Sequence, residues 1–159
     1  MDHVERIIEQ WNRERPDLDV APMALIGRLG RLARAWSREM EATFARHGLN
    51  AASFDLLATL RRAGPPHALS PGALIEATMV TSGTITNRID RLVAAGLVER
   101  KPNPQDGRGF LVSLTPEGFS RIDACVTDHV ATQARLVAPL DAADRAALDA
   151  LLRKAAGTT

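Results

Sequence analysis

The sequence predicts a mainly α protein interrupted by one small β-hairpin. Three observations carry that expectation. Apolar residues recur at i, i+3, i+4 and i+7 through most of the chain, the spacing of a helix face. Those stretches are opened by capping residues, Asp2, Asn50, Ser70-Pro71, Thr115-Pro116 and Asp141, and two of them are closed by Gly48 and Gly96. One stretch breaks the pattern: "LVERKP" and "FLVSL" carry strand signals on either side of "NPQDGRG", which is turn chemistry.

Taken in order, Asp2 to Arg15 reads as a short helix in which Asp2 and Glu5 form a capping box. Val4, Ile7, Ile8 and Trp11 make its apolar stripe, and Pro16 ends it. "RPDLDVAP" is a linker. A long helix follows, about 22–47, with Leu25, Leu29, Leu32, Trp36, Met40 and Phe44 along one side. Asn50 caps the next, about 51–63, which buries Phe54, Leu56, Leu57 and Leu60. "GPPHAL" reads as loop. Ser70 and Pro71 start a short helix to Ala77, and Thr81 or Ser82 starts another to Ala95. In the second strand Phe110, Val112 and Leu114 share one face, with Leu111 and Ser113 on the other. Thr115-Pro116 opens a long helix to about Ala138. The last helix, after Asp141, has Ala147, Leu148, Leu151, Leu152 and Ala155 as its apolar face. The expected organisation is N-terminal helices over 1–49, a compact segment over 50–118 and C-terminal helices over 119–159.

The totals narrow the function classes. With 45 % apolar and 25 % charged residues, the chain is globular rather than disordered. Tyr is absent and aromatics are 4 %, so Leu, Ala, Ile and Val must build the core. The net charge is +1, so any nucleic-acid role rests on a local patch. A single cysteine, Cys125, permits no intrachain disulfide, and the cytoplasm is the expected compartment. "MDHVERIIEQW" has no apolar core of signal length, and no segment is long enough to span a bilayer.

In "TSGTITNRIDRLVAAGL", Ile85, Ile89, Leu92 and Val93 fall on one face of a helix. Ser82, Thr84, Thr86, Asn87, Arg88 and Arg91 fall on the other. Hydroxyls reach phosphates and bases, Asn reads adenine, and Arg reads guanine or holds phosphate. A short helix stands just before it across a tight turn, which is a helix-turn-helix arrangement. The hairpin then follows directly, with Arg108 between Gly107 and Gly109 at its tip. A slim arm carrying one Arg suits a minor groove. This is the wing of a winged helix-turn-helix. The DNA contacts expected are Ser70, Thr81, Ser82, Thr84, Thr86, Asn87, Arg91 and Arg108. Asp106 is expected to stabilise the wing by pairing with an Arg, and the glycines to let the turn form. A polar helix face or an Asp-Gly turn is by itself more often a solvated surface. The order short helix, turn, helix, strand, wing, strand is what makes the DNA reading specific.

"DGRGFLVSLTPEG" resembles the wing signature of the MarR family, Asp-x-Arg followed by an apolar strand and Leu-Thr-x-x-Gly. Asp106, Arg108, Leu114, Thr115 and Gly118 occupy those positions. The resemblance implies a dimeric winged-helix transcription regulator, expected to be a repressor, whose terminal helices pack the dimer and whose two recognition helices meet a pseudo-palindromic operator. A finer resemblance is to the urate-responsive branch of that family. It rests on Trp11 in an extra first helix, Asp55 in "ASFDLLATL", Arg88 in "TNRIDRL" and Arg100 in "LVERK". It implies a pocket for urate, a related purine or another small aromatic anion. Trp11 would stack on such a ring, Arg88 or Arg100 would pair with its charge, and Asp55 would repel the anion or accept from a ring N–H. Bland readings stand beside each of the four. Trp11 also reads as an anchor for the first helix, Asp55 as an interhelix ion-pair partner, Arg100 as a phosphate contact and Arg88 as a DNA or ion-pair residue.

His3, His47, His67 and His129 are scattered, with no metal-ligand spacing. Neither a phosphate-binding glycine loop nor a nucleophile constellation is present, so no enzyme activity, cofactor or metal is expected. Two alternatives remain at this level: regulation through a different organic acid or through a Cys125 thiol signal, and a winged helix that docks another protein.

Overall fold

The computed structural model describes residues 2–78 and 82–157. Thr81 lies outside them, as does the side chain of Ser82. The described chain forms seven helices and a three-stranded antiparallel sheet, in two compact units divided between Met40 and Glu41.

The first unit holds α1 (His3–Glu14) and most of α2 (Ala21–Arg46). The capping box forms: the Glu5 N–H donates to Asp2 Oδ1 at 2.8 Å, and the Asp2 N–H donates to Glu5 Oε2 at 2.7 Å. The Glu5 N–H, with Arg28 beside it, holds the Asp2 carboxyl below the usual carboxylate range. Arg28 of α2 reaches Asp2 at 3.2 Å and Glu5 at 3.5 Å, tying the head of α1 to α2. Val4 is buried against Gly27, where a Cβ would sit 3.7 Å from Val4 Cγ1. Much of the apolar side of α2 is uncovered: Leu25 is 70 % exposed, and Ile26, Leu29 and Leu32 are exposed with it. Trp11 is 42 % exposed.

The second unit begins with the last turns of α2. It continues through α3 (Ala51–Arg62), β1 (Ala68–Leu69), α4 (Pro71–Thr78), α5 (Ser82–Ala94), β2 (Val98–Asn103), β3 (Asp106–Leu114), α6 (Pro116–Leu136) and α7 (Ala142–Ala155). Leu56, Leu57 and Leu60 of α3, Leu74 of α4, Ile85 and Ile89 of α5, Val112 of β3 and Ile122 of α6 build its core. Each such side chain contributes about 1.5–3 kcal/mol by leaving water. The hydroxyls of Thr43 and Thr132 share a buried hydrogen bond at 2.8 Å, so two polar groups enter this core satisfied. His129 lies beside the stacked rings of Phe44 and Phe54, its ring centroid 5.1 and 4.8 Å from theirs, and burial depresses its pKa.

Helices start and stop within two residues of the expected positions, because caps fix them. Asn50 and Ser53 form a second capping box, Asp141 and Asp144 a third, and Gly96 ends α5 at φ +72°, where an L side chain would be strained. The sheet departs from expectation in two ways. "GPPHAL" is not all loop: Ala68 pairs with Ser113 and Leu69 with Val112, giving the order β1-β3-β2. In consequence β3 is central at its C-terminal end, and Val112, Ser113 and Leu114 are all buried instead of alternating.

The joint between sheet and α6 explains the Leu-Thr-x-x-Gly pattern. Thr115 caps α6 by accepting from the Gly118 N–H at 3.0 Å, and its hydroxyl donates to the Gly96 carbonyl at 2.7 Å. Its own N–H donates to the Leu97 carbonyl at 3.2 Å. Gly118 packs on that same carbonyl, and a Cβ there would fall 1.9 Å from the oxygen.

Candidate nucleic-acid interface

The helix expected to read DNA is α5. Ile85, Ile89 and Leu92 pin it to the core, so its opposite side must face solvent. Thr84, Asn87 and Arg91 are exposed there, at i, i+3 and i+7. With Gly83, Arg88 and Ala52 of α3 they line a recess of about 430 Å³. Arg91 makes no ion pair or hydrogen bond among the described residues, which leaves its guanidinium available. Thr86 is exposed on the other flank of α5. Ser70 is half-buried, and its hydroxyl accepts from the Ala73 N–H at 3.2 Å at the start of α4. Ser70 thus caps α4 as expected.

The wing is the outer half of β2 and β3. Pairing runs from Val98↔Leu114 to Pro102↔Phe110, then jumps to Asn103↔Asp106. Gly107, Arg108 and Gly109 are therefore the surplus residues of β3, and Arg108 is exposed. Two expectations are corrected here. The turn is Pro104-Gln105, not Asp-Gly, and neither wing glycine has a positive φ. Asp106 makes no ion pair with an Arg among the described residues; its Oδ1 accepts from the Arg108 N–H at 3.1 Å. A carboxylate two residues before the donor bends the backbone locally, so no distant partner is needed. Gly109 makes room for this bend, since a Cβ there would lie 3.0 Å from Asp106 Oδ2.

The four residues of the implied ligand pocket are placed as follows. Asp55 of α3 and Arg88 of α5 face each other, with Oδ2 and Nη1 4.0 Å apart. Arg100 of β2 pairs instead with Asp90, and its guanidinium lies 5.2 Å from the centroid of Phe110. Asp90 and Arg88 are two residues apart, which puts them roughly 160° apart around α5. Arg88 and Arg100 therefore engage opposite flanks of that helix. Trp11 belongs to the first unit.

Two further residues bear on these placements. Arg121 of α6 joins Arg88, Arg91 and Asn50 around a smaller recess of about 180 Å³, and it pairs with Glu117 at 2.6 Å. Asp90 fixes Arg100. The Arg121–Glu117 pair is at the i, i+4 spacing a helix makes legible, whereas the recess around Arg121 and the Asp90–Arg100 pair depend on contacts between elements, for which the sequence carries no spacing signal. Cys125 is fully buried, and burial followed by the nearby Asp128 carboxylate raises its thiol pKa. No helix among the described residues is long and apolar enough to cross a membrane, and no three potential metal ligands cluster among them.

A sequence profile of the MarR family matches residues 47–109. The chain is 42 % identical over 149 residues to the HTH-type transcriptional regulator PecS of Dickeya dadantii, covering 94 % of this chain and 90 % of that one. Among solved structures it is similar to a mutant MarR from E. coli complexed with operator DNA, with a TM-score of 0.72 and 31 % identity over 91 % of this chain and 96 % of that one. It is also similar to Bordetella bronchiseptica BpsR, whose DNA binding is regulated by 6-hydroxynicotinic acid, with a TM-score of 0.69 and 30 % identity over 80 % of this chain and 89 % of that one.

Proposed function

The chain belongs to the MarR family of non-enzymatic, DNA-binding transcriptional regulators, and we propose that it is an operator-bound repressor released by a small aromatic anion, most simply urate or a related purine. Thr84, Thr86, Asn87 and Arg91 are its major-groove and phosphate contacts. Ser70 adds a contact at the start of α4, and Arg108 enters the minor groove. It works as a homodimer: the exposed apolar residues of α2 in one unit, and Leu151 and Leu152 of α7 in the other, are the surfaces a second copy would cover.

The observation that carries the ligand reading is the Asp55–Arg88 pair. At 4.0 Å it is a loose contact, so an anion competes for Arg88 at little cost. Arg88 also lines the recess beside Asn87 and Arg91. A ligand that takes its guanidinium changes the face α5 offers to DNA. The two binding events then oppose each other by about 1–3 kcal/mol, as is typical of allosteric coupling. Arg100 contributes from the opposite flank by way of Asp90 and α5.

The test is thermal melting and operator binding with urate, xanthine, hypoxanthine, salicylate and 6-hydroxynicotinate. A ligand at a hundred times its dissociation constant stabilises by about 2.7 kcal/mol. Stabilisation and operator release by urate or xanthine, both lost in Arg88→Ala, is the expected result. Stabilisation by a non-purine acid alone sinks the purine assignment and keeps the regulator. Release by an oxidant that Cys125→Ser abolishes would replace the ligand by a thiol signal, which the burial of Cys125 disfavours. Salt-insensitive binding to a protein, with no affinity for duplex DNA, would replace the operator by a protein partner.

A further inference from the structure

A second group of arginines lies in the first unit, on α2. Arg28, Arg31, Arg34 and Arg38 line a cleft of about 530 Å³ together with Asp2 and His3 at the head of α1. Arg28 is engaged by Asp2 and Glu5. Arg31, Arg34 and Arg38 make no ion pair or hydrogen bond among the described residues. Spaced i, i+3 and i+7, they are neighbours on one side of the helix, where like charges oppose its formation. Asp2 is the one carboxylate in the lining, and it is already held by the Glu5 N–H and Arg28. The cleft is thus cationic, with no neutralising group for three guanidiniums.

Around α2, Arg31, Arg34 and Arg38 centre roughly 160° from the line of Leu25, Leu29, Leu32 and Trp36. Of that line Leu32 alone reaches the cleft, at its edge. Local packing shapes the cleft. Val4 packs on Gly27 of α2, so the head of α1 walls one side and adds its N-terminal dipole. Arg34 folds back over Gly30, where a Cβ would lie 3.4 Å from its Nη1.

We propose that this cleft binds a small molecule carrying two or more linked phosphate groups. Guanidinium forks match phosphate oxygens. Arg31 and Arg38 are on the order of 10 Å apart along the helix, which suits a chain of anionic groups better than one. A concave volume of a few hundred Å³ is of small-molecule size, whereas duplex DNA presents a convex surface. A nucleoside polyphosphate and an inorganic polyphosphate offer the same phosphate chain.

The experiment is calorimetric titration of the full chain at about 0.15 M salt, with inorganic tripolyphosphate, a nucleoside triphosphate, orthophosphate and a random-sequence duplex. The expected result is binding of tripolyphosphate at least roughly tenfold tighter than orthophosphate. The combined Arg31→Gln, Arg34→Gln, Arg38→Gln variant loses that binding, while Arg91→Ala with Arg108→Ala keeps it. Tighter binding of the nucleoside triphosphate assigns a nucleotide, and equal binding assigns the phosphate chain alone. Melting of the unliganded triple variant checks its fold, and Arg34→Gln alone, with a partial loss, serves if the triple variant is unstable. Equal affinity for orthophosphate, binding untouched by the α2 substitutions, or binding lost with Arg91 and Arg108 overturns the proposal. So does a triple variant whose only defect is in duplex binding, which would give these arginines to DNA.

Discussion

Gly118→Ala tests the joint that sets the wing against α6. The added Cβ would fall 1.9 Å from the Leu97 carbonyl oxygen, where real contacts stop at about 3.0 Å. Either the first turn of α6 or the end of the α5–β2 connection must therefore move by more than 1 Å. The atom in the way is backbone, so no rotamer change relieves it. Two costs follow. Overpacking of this kind is typically about 1–3 kcal/mol. The bond from the Thr115 N–H to the same Leu97 oxygen, 3.2 Å long, is strained or broken, at about 1 kcal/mol more. The sum, about 2–4 kcal/mol, is a large share of a stability of about 5–15 kcal/mol. For a chain of this size it lowers the melting temperature by roughly 4–16 °C. Far-ultraviolet circular dichroism during heating reads the shift directly. Gly107→Ala is the control, since nothing lies within 4 Å of a Cβ there. A Gly118→Ala protein that melts within a degree or two of the parent, with unchanged operator affinity, would refute the close approach.

Arg108→Ala should leave melting unchanged, weaken operator binding, and lower the slope of log affinity against log salt by about one phosphate contact. His129 is neutral in the fold because burial depresses its pKa, so its stability contribution is present above the unfolded value near 6.5 and is lost as pH falls through the folded one. Melting temperature should decline below about pH 6.5, and His129→Phe should flatten that decline; a slope unchanged by the substitution would count against it. Cys125 has a raised pKa and no exposure, so a thiol reagent should label it slowly in the native protein at neutral pH and quickly after unfolding. Rapid native labelling would show that the helix opens there.

The elements legible in the sequence are those with local chemistry. Asp2 with Glu5, Asn50, Ser70-Pro71, Thr115 and Gly96 set helix ends through bonds within four residues or through one residue's φ, and all of them act as read. The wing's position is equally local. What escaped notice is non-local. Ala68 and Leu69 form a strand only because β3 offers an edge, and two residues have no period to detect. Ser113 is buried because β1 and β2 both flank it. Arg100 and Arg88 look alike in the sequence, as charged residues near one helix, yet they settle on opposite flanks because Asp90 and Asp55 do. An Asp beside arginines suggests an ion pair, but the backbone N–H of Arg108, two residues ahead, is the nearer partner of Asp106.

The three-stranded base and the two-stranded arm of β3 divide the hairpin's duties. Val112 and Ser113 are clamped from both sides, by β1 and β2, and the arm beyond Phe110 is held by β2 alone. The base anchors the arm as a wall anchors a bracket, and the arm's length is independent of the anchorage. Adding two residues to each arm strand would carry Arg108 outward by roughly 6.6 Å, close to two base-pair steps of about 3.4 Å. Reach along an operator is thus adjustable by insertion at the tip, in pairs, with the core untouched.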